Sequence, residues 1–220
     1  MIVLGIESAT ARAGVAIGTA DGVVASAEVT RGPRHAEILV PAVKFVCEQA
    51  GIALDQVDAI AVDIGPGLFT GLRVGIATAN GLAQALSLPM IGVSSLDLLA
   101  HGMRHAGNDI VAVIDARRSE VYAARYGVTD QQIKRVMDPT VLLPAELLAQ
   151  LDGPGDVVIV GDTLADHGAF FALPSAAMLV ELAAIGNPVD PSAIAPLYLR
   201  KSDAELNADR QPGGAAREGD

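Results

Sequence analysis

Two stretches of the sequence that resemble each other indicate the fold: VLGIESATARAGVA at residues 3–16 and VAVIDARRSEVYAA at residues 111–124. In both stretches an apolar strand ends in a carboxylate, Glu7 in the first and Asp115 in the second. A short turn follows, and a second apolar segment returns. Because self-similarity within a chain indicates duplicated structural units, the pattern predicts two related halves that each open with a β-hairpin.

Hydrophobic periodicity predicts the other elements of the first half. Apolar residues recur every three or four positions over 36–50, the spacing of a helix face, and Gly51 ends that segment. An Asp21-Gly22 pair marks the turn before the third strand. Strands are predicted at 2–7, 13–18, 23–29, 57–63 and 90–93, and helices at 36–50, at 71–86 and from Ser95, interpreted as an N-cap.

The second half is shorter. Beyond its opening hairpin, we predict strands near 133–141 and at 157–161, and helices from Pro144 and at 175–185. Two related α/β halves of this kind are typical of the actin/Hsp70/sugar-kinase (ASKHA) fold. The predicted division is an N-terminal lobe at 1–108, a reduced C-terminal lobe at 109–202, and a tail at 203–220 that is acidic, poor in apolar residues and expected to be disordered.

The composition argues against several classes of function. The net charge is −11, with 15 lysines and arginines against 26 aspartates and glutamates, and aromatic residues make up 3%. Nucleic-acid binders neutralise phosphates with basic residues and stack bases on aromatic rings, so if RNA is involved we expect another subunit to carry most of the contact. Cys47 is the single cysteine, so no intrachain disulfide forms, and a cytoplasmic location is expected.

No membrane span and no signal peptide are expected. The longest uncharged run, 74–96, contains Asn80 and Gln84, and its apolar members are mostly alanine. The N-terminus lacks a basic region, and Glu7 interrupts the first apolar stretch.

The turn after the first strand carries the small hydroxyl residues Ser8 and Thr10 behind the carboxylate of Glu7. In nucleotide-binding proteins of this architecture, such a turn cradles phosphate with its backbone N–H groups. A tight hairpin also needs small residues, so the pattern alone leaves both interpretations open. In the second copy Arg117 and Arg118 occupy the turn, which is unlike one half of a paired phosphate clamp.

A glycine-rich segment, GPGLFTGLRVG at 65–75, follows a strand and opens a helix. The free N–H groups at such a helix start, near Gly67 and Thr70, can hold an anion, and Thr70 is a candidate N-cap. The segment is not a P-loop, because the Lys-Ser/Thr ending is absent.

Gly71, Gly75 and Ala79 form a row of small residues on one face of the same helix. A row this small lets a second helix approach closely. We predict that it lies at a contact between subunits, because larger apolar residues on the other faces are available to pack on the sheet. Packing inside the chain against the 36–50 helix is the alternative.

The histidines do not show the spacing of a metal site. His35 is followed one helical turn later by Leu39, so neither HxxxH nor HExxH occurs, and the other three histidines show no ligand spacing. No serine lies in a GxSxG elbow. The sequence therefore predicts no metal ligands and no catalytic residues in this chain.

Together these segments resemble the TsaB, or YeaZ, family over nearly the whole chain before the tail. The glycine-rich segment is the most specific of them. The resemblance rests on ESATARAGVAI at 7–17, RHAEILVP at 34–41, GPGLFTGLRVGIATANGLA at 65–83, IDARRSEVYAARY at 114–126 and PLYLR at 196–200.

The resemblance implies the ASKHA fold with a shrunken second half and a role in tRNA modification. Members of the family are paralogues of TsaD, which transfers threonylcarbamoyl to N6 of the adenosine at position 37 in tRNAs that read ANN codons. TsaB pairs with TsaD through its two N-terminal helices, and the ATPase TsaE joins them. The chain is therefore expected to be a non-catalytic scaffold for forming N6-threonylcarbamoyladenosine (t6A), with ATP and a metal held by the partners and no cofactor of its own.

The resemblance also implies which residues contact the partner. Whether the chain forms a homodimer when TsaD is absent is left open by the sequence. TsaD binds its metal with the two histidines of an HxxxH, and here Leu39 stands where the second would be. The family usually has Asp where this chain has Glu7, which weakens the case for nucleotide binding. The implied interface comprises Gly71, Arg73, Gly75, Ala79, Leu82, His35 and Leu39.

Two alternatives belong to other classes of protein. A degenerate metallopeptidase-like protein would need more metal ligands than the sequence offers. A small-molecule kinase of the same fold would need two phosphate loops and a full second domain. The Arg117-Arg118 turn argues against a second phosphate loop, and the short second half argues against a full second domain.

Overall fold

Two five-stranded sheets with matching connectivity form the framework of the molecule. The structure, a computed structural model, describes residues 1–30, 35–130, 132–151 and 156–200. The tail predicted at 203–220 and Arg34 of the RHAEILVP motif lie outside the described residues. The first sheet has, in order across it, β3 (Gly22–Thr30), β2 (Arg12–Thr19), β1 (Val3–Glu7), β4 (Ala59–Gly65) and β5 (Met90–Ser94).

The second sheet repeats this arrangement. In each sheet the central strand pairs antiparallel with the strand that follows it and parallel with a strand from later in the chain: β1 with β2 and β4, and the equivalent strand with its own neighbours. The predicted fold of two related α/β halves is therefore confirmed. The strands, in order, are β8 (Gln132–Leu142), β7 (Glu120–Thr129), β6 (Asp109–Arg117), β9 (Val157–Gly161) and β10 (Phe170–Phe171).

In the part of the chain that the structure describes, five α-helices cover the sheets. Where the first half has a long helix between β4 and β5, the second half has a short 3₁₀ turn, Ala165–His167, between β9 and β10, which accounts for its reduced size. Among the described residues no helix is both long enough and apolar enough to cross a membrane. The helices are α1 (His35–Ala50), α2 (Phe69–Leu86), α3 (Ser95–Gly102), α4 (Pro144–Leu151) and α5 (Ala176–Ala183).

The first sheet is buried on both faces. Helices α1 and α2 pack on one face, where Leu39 and Ile76 join an apolar core with Leu4 and Ile6. Helix α5 packs on the other face, where Leu179 and its neighbours contact the strands β1 to β3. Helix α5, which belongs by sequence to the C-terminal lobe, therefore packs on the first sheet. The sequence did not predict this placement.

Two helix starts differ from the predictions. Helix α2 begins at Phe69, after Leu68, so Thr70 lies inside the first turn and is not the N-cap. The N-cap of α3 is Ser94, whose Oγ accepts a hydrogen bond from the backbone N–H of Leu96 at 3.3 Å. Because Ser94 and Ser95 are adjacent, the sequence did not tell which of the two is the N-cap.

Candidate functional site

Two carboxyl groups lie side by side where the central strands of the first sheet end. Strands β1 and β4 are parallel and in register from Val3 opposite Ala59 to Ile6 opposite Val62, so Glu7 and Asp63 follow at neighbouring positions. Both side chains are almost completely inaccessible to solvent. The sequence singled out Glu7, which ends β1, but not Asp63, which lies within the apolar strand β4.

Each carboxyl group of this pair is only half satisfied. Glu7 Oε1 accepts a hydrogen bond from the backbone N–H of Ala9 at 2.7 Å. Asp63 Oδ1 accepts from the hydroxyl of Ser95 at 2.6 Å and from the backbone N–H of Gly65 at 2.7 Å. The second oxygens, Glu7 Oε2 and Asp63 Oδ2, are buried without a hydrogen-bond partner among the described residues.

Burial shifts the titration of both groups in the same direction. Loss of hydration disfavours the charged forms, so burial raises the pKa of Asp63 to about 7. Burial also raises the pKa of Glu7 well above its usual range, and the nearby charge of Asp63 raises it further. Both shifts favour the neutral carboxylic acid over the carboxylate.

The turn between β1 and β2 is filled by backbone from the glycine-rich segment. Ser8 Oγ donates a hydrogen bond to the carbonyl of Gly71 at 2.9 Å, and Leu68 N–H donates to the carbonyl of Ala9 at 2.7 Å. A Cβ at Gly67 would lie 2.2 Å from the Ala9 carbonyl oxygen. The space between these two segments is therefore closed, and the phosphate role of Glu7, Ser8 and Thr10 stays a prediction.

The same contact explains the row of small residues on α2. A Cβ at Gly71 would lie 2.1 Å from the carbonyl oxygen of Ser8, and a Cβ at Gly75 would lie 2.2 Å from Ser8 Oγ. Ala79 is fully buried in the core of the first sheet. The prediction that this row faces another subunit is corrected, because the close neighbour is the β1–β2 turn of the same chain. The alternative prediction, that the row packs against α1, is only partly right. His35 of α1 lies beside Gly71, but the β1–β2 turn contacts both Gly71 and Gly75.

His35 and Leu39 are likewise internal. The His35 ring packs against Gly71, where an added Cβ would lie 3.1 Å from the ring, and burial lowers the pKa of this histidine. Leu39 is fully buried in the core under α1. In the part of the chain that the structure describes, no three histidine, cysteine or acidic side chains are grouped to hold a metal ion. Of the predicted interface residues, only Arg73 and Leu82 keep substantial exposure.

An apolar groove lies between the outer sides of α1 and α2. It has a volume of about 540 Å³ and ends at the loop 51–54. Val40, on its wall, is 63% exposed, and Phe45 on the same helix is 49% exposed. Cys47 lies in the groove, and burial raises the pKa of its thiol. The groove is lined by Val40, Val43, Lys44, Cys47, Glu48, Gly51, Ile52, Ala53, Leu54 and Leu82.

A second cleft lies between the two lobes and is crossed by the segment 194–200. Leu197 N–H donates to the carbonyl of Ile64 in β4 at 2.7 Å. Three residues later, Arg200 donates to the carbonyl of Ala116 and pairs with Glu120, both at 3.1 Å, on the second sheet. The segment thus fastens one lobe to the other beside the turn that carries Arg117 and Arg118. In the sequence, the PLYLR motif at 196–200 contributed only to the family resemblance, and no contact was predicted for it.

The fold defines an ASKHA-class protein whose β1–β2 turn packs against its own glycine-rich segment. The family model of tRNA N6-adenosine threonylcarbamoyltransferase, TsaD, matches residues 22–195. The TsaB protein of Haemophilus influenzae, described as a tRNA threonylcarbamoyladenosine biosynthesis protein, is 32% identical over 202 residues, which cover 81% of this chain and 84% of that protein. The solved structure of YeaZ from Pseudomonas aeruginosa superposes with a TM-score of 0.80 and 30% identity over 90% of this chain and 99% of that one.

A longer relative is also similar. An uncharacterised protein of Mycobacterium leprae is 38% identical over 224 residues, covering 96% of this chain but only 58% of that protein. The chain belongs to the family of the TsaD model and, within it, to the TsaB (YeaZ) branch.

Proposed function

We propose that this chain is a non-catalytic subunit that pairs with a TsaD homologue, with a TsaE homologue joining them, to form t6A in cytoplasmic tRNA. The names of its TsaB relatives support a role in t6A biosynthesis. The observation that carries the pairing is the exposed apolar groove between α1 and α2. The chain itself needs no cofactor in this proposal, and ATP and the metal belong to the partners.

The groove has the properties of a protein interface. Exposed apolar patches rimmed by polar groups mark docking sites, and here Lys44 and Glu48 lie beside the apolar wall. The partner that fits is a chain of the same architecture, because the TsaD family model itself matches this sequence over most of its length. Two related chains can then bring equivalent helices together about a pseudo-twofold axis, as homodimers do with identical ones.

The proposed non-catalytic role is supported by the positions of the residues around the β1–β2 turn. Glu7 is fully buried, the β1–β2 turn is closed by Leu68 and Gly71, and Leu39 is a core residue. None of these groups is placed to activate a nucleophile or to bind a phosphate. The chemistry of t6A formation is therefore assigned to the partner.

Substitution of Val40 tests the interface. Val40→Lys puts a charge on the groove wall at a position that is already exposed, so the fold should be retained. If the groove is the interface, the new lysine places an unpaired charge inside it. Such a charge weakens pairing by about 2 kcal/mol or more, which is about thirtyfold in Kd. The matched control is Val136→Lys, because Val136 is 59% exposed on β8 of the other sheet.

Pairing with the purified TsaD homologue is measured by sedimentation, and t6A formation by nucleoside analysis of the reconstituted reaction. The single thiol gives an independent readout, since Cys47 should be alkylated more slowly when the partner covers the groove. Equal pairing by the Val40→Lys and Val136→Lys variants would show that the groove is not the interface. Formation of t6A by this chain alone would contradict the non-catalytic role.

A further inference from the structure

The rim of the inter-lobe cleft carries a stack of planar side chains. The rings of Phe69 and Tyr198 are stacked with their centroids 5.1 Å apart. The guanidinium carbon of Arg73 lies 3.9 Å from the centroid of the Phe69 ring, and Arg73 Nε donates to the Tyr198 hydroxyl at 3.3 Å. Phe69 is 37% and Tyr198 42% exposed, so part of each ring faces solvent. Aromatic rings are scarce in this chain, at 3% of residues, which makes two stacked on the surface unusual.

Arginines gather beside this stack although the whole chain carries a net charge of −11. Arg117, Arg118 and Arg200 line the cleft, and Arg73 contacts Phe69, which also lines it. Asp115 pairs with Arg117 at 3.2 Å, and Glu120 pairs with Arg200 at 3.1 Å. A guanidinium has five donors, so one carboxylate partner fixes its position and still leaves N–H groups for an anion.

The turn that presents two of these arginines has an unusual backbone. Arg117, Arg118 and Ser119 all have positive φ, at 64°, 54° and 62°. A left-handed conformation is disfavoured for residues with a side chain, and here it occurs at three successive positions. Asp115 stabilises the turn by accepting a hydrogen bond from the backbone N–H of Arg117 at 2.7 Å. The sequence indicated only that arginines are unlike a phosphate clamp of small residues, whereas the fold presents them to solvent.

The size of the cleft decides what it can take. Its volume is about 210 Å³, below the roughly 300–1,000 Å³ of pockets that enclose a small organic ligand. A phosphate group can enter it, but a whole nucleotide cannot be enclosed. A base attached to that phosphate would lie outside, at the level of the exposed rings.

We propose that the cleft and the Arg73–Phe69–Tyr198 stack bind one step of single-stranded RNA, with a phosphate against the arginines and a base against the rings. This inference rests on the proposed function, because it adds a direct contact with the tRNA to a subunit of the modification complex. Stacking platforms beside arginine-lined grooves are the physical basis of single-strand binding. The contact is local, since the chain as a whole carries a net charge of −11, which repels the backbone of RNA.

Binding of a labelled, unstructured RNA of about 12 nucleotides, within the usual site size, is measured with the full chain by fluorescence anisotropy at several salt concentrations. Tyr198→Leu keeps apolar volume but removes the ring, and should weaken binding at least about fivefold, the effect of losing one stacked base. Arg117→Ala with Arg118→Ala should reduce the salt dependence by up to about one unit of slope for each phosphate that is no longer neutralised. Lys134→Ala is the control, because Lys134 is an exposed cation at the far end of β7 and β8.

Three results would overturn the inference. The first is RNA binding that the cleft variants leave unchanged, or no RNA binding by the original chain. The second is equal competition by adenosine monophosphate, which would mean that the site takes a free nucleotide. The third is loss of pairing with the TsaD homologue in the Tyr198→Leu variant with RNA binding intact, which would make the stack a protein contact. None of these results removes pairing through the α1–α2 groove, which the Val40→Lys variant tests separately.

Discussion

Gly75→Ala and Gly81→Ala add the same methyl group to helix α2 in opposite surroundings. At position 75 the new Cβ would lie 2.2 Å from Ser8 Oγ, whereas at position 81 nothing lies within 4 Å. Both substitutions gain the same helix propensity, about 1 kcal/mol relative to glycine. The difference between the two free energies of unfolding therefore measures the contact with Ser8.

The expected difference follows from what the new methyl group displaces. Ser8 Oγ has to move and then loses its hydrogen bond to the Gly71 carbonyl. Overpacking costs about 1–3 kcal/mol, and loss of one buried hydrogen bond costs about 1 kcal/mol. Gly75→Ala should thus be less stable than Gly81→Ala by about 2–4 kcal/mol. In a chain of this size 1 kcal/mol shifts Tm by about 2–4 °C, so the melting temperatures should differ by about 4 °C or more.

Urea denaturation followed by circular dichroism gives both free energies, provided that the m-values agree. Ser8→Ala supplies a rescue, because without Oγ the nearest atom of residue 8 is its Cβ, 3.5 Å from the new methyl group. In that background Gly75→Ala should be as well tolerated as Gly81→Ala. If Gly75→Ala is instead as stable as Gly81→Ala in the original chain but fails to pair with the TsaD homologue, the row faces another subunit and the internal packing argument is wrong.

Three further predictions concern other parts of the molecule. Burial raises the pKa of Asp63 to about 7, so the folded chain holds a proton that the unfolded chain releases near pH 4, and stability should fall as pH rises from about 4 to 7. Asp63→Asn should flatten that part of a Tm–pH profile, and a wild-type profile that rises over this range would contradict the assignment. Ser94→Ala should lower the free energy of unfolding in urea by about 1 kcal/mol through loss of the N-cap of α3, and no change would argue that the cap is unimportant. Arg200→Ala should increase amide hydrogen exchange at residues 196–200, since it removes the contacts to Ala116 and Glu120, whereas unchanged protection would show that the Leu197 bond suffices.

The sequence predicted the framework because periodicity and the internal repeat are local signals. Residues 3–6 in β1 and 110–114 in β6 are continuous apolar runs followed directly by an acid, which identifies buried central strands. The reduced second half also followed from length alone. The placement of α5 on the first sheet could not be predicted, because a short helix with apolar residues on most of its surface fits either sheet.

The candidate site was harder to predict because side-chain contacts depend on which loops meet. Gly71 and Gly75 were recognised as positions that need small residues, but the sequence does not say whether the neighbour is a helix, a turn or another chain. The structure identifies it as Ser8. Asp63 and Tyr198 were missed for a related reason, since one is an acid within an apolar strand and the other lies in a segment without periodicity. Both have partners that are distant in sequence, Ser95 for Asp63 and Phe69 for Tyr198.

The position of α5 has a consequence for synthesis of the chain on the ribosome. The first sheet is complete in sequence when Ser94 has been made, but the helix that covers one of its faces ends at Ala183, about 90 residues later. At about 5–20 residues per second, that face waits roughly 4–18 s for its cover. During this interval Val3, Ala16 and Ala61, which α5 later buries, are open to other chains or to chaperones. The emerging protein is therefore most prone to aggregate after its first lobe has been translated and before its last helix leaves the exit tunnel.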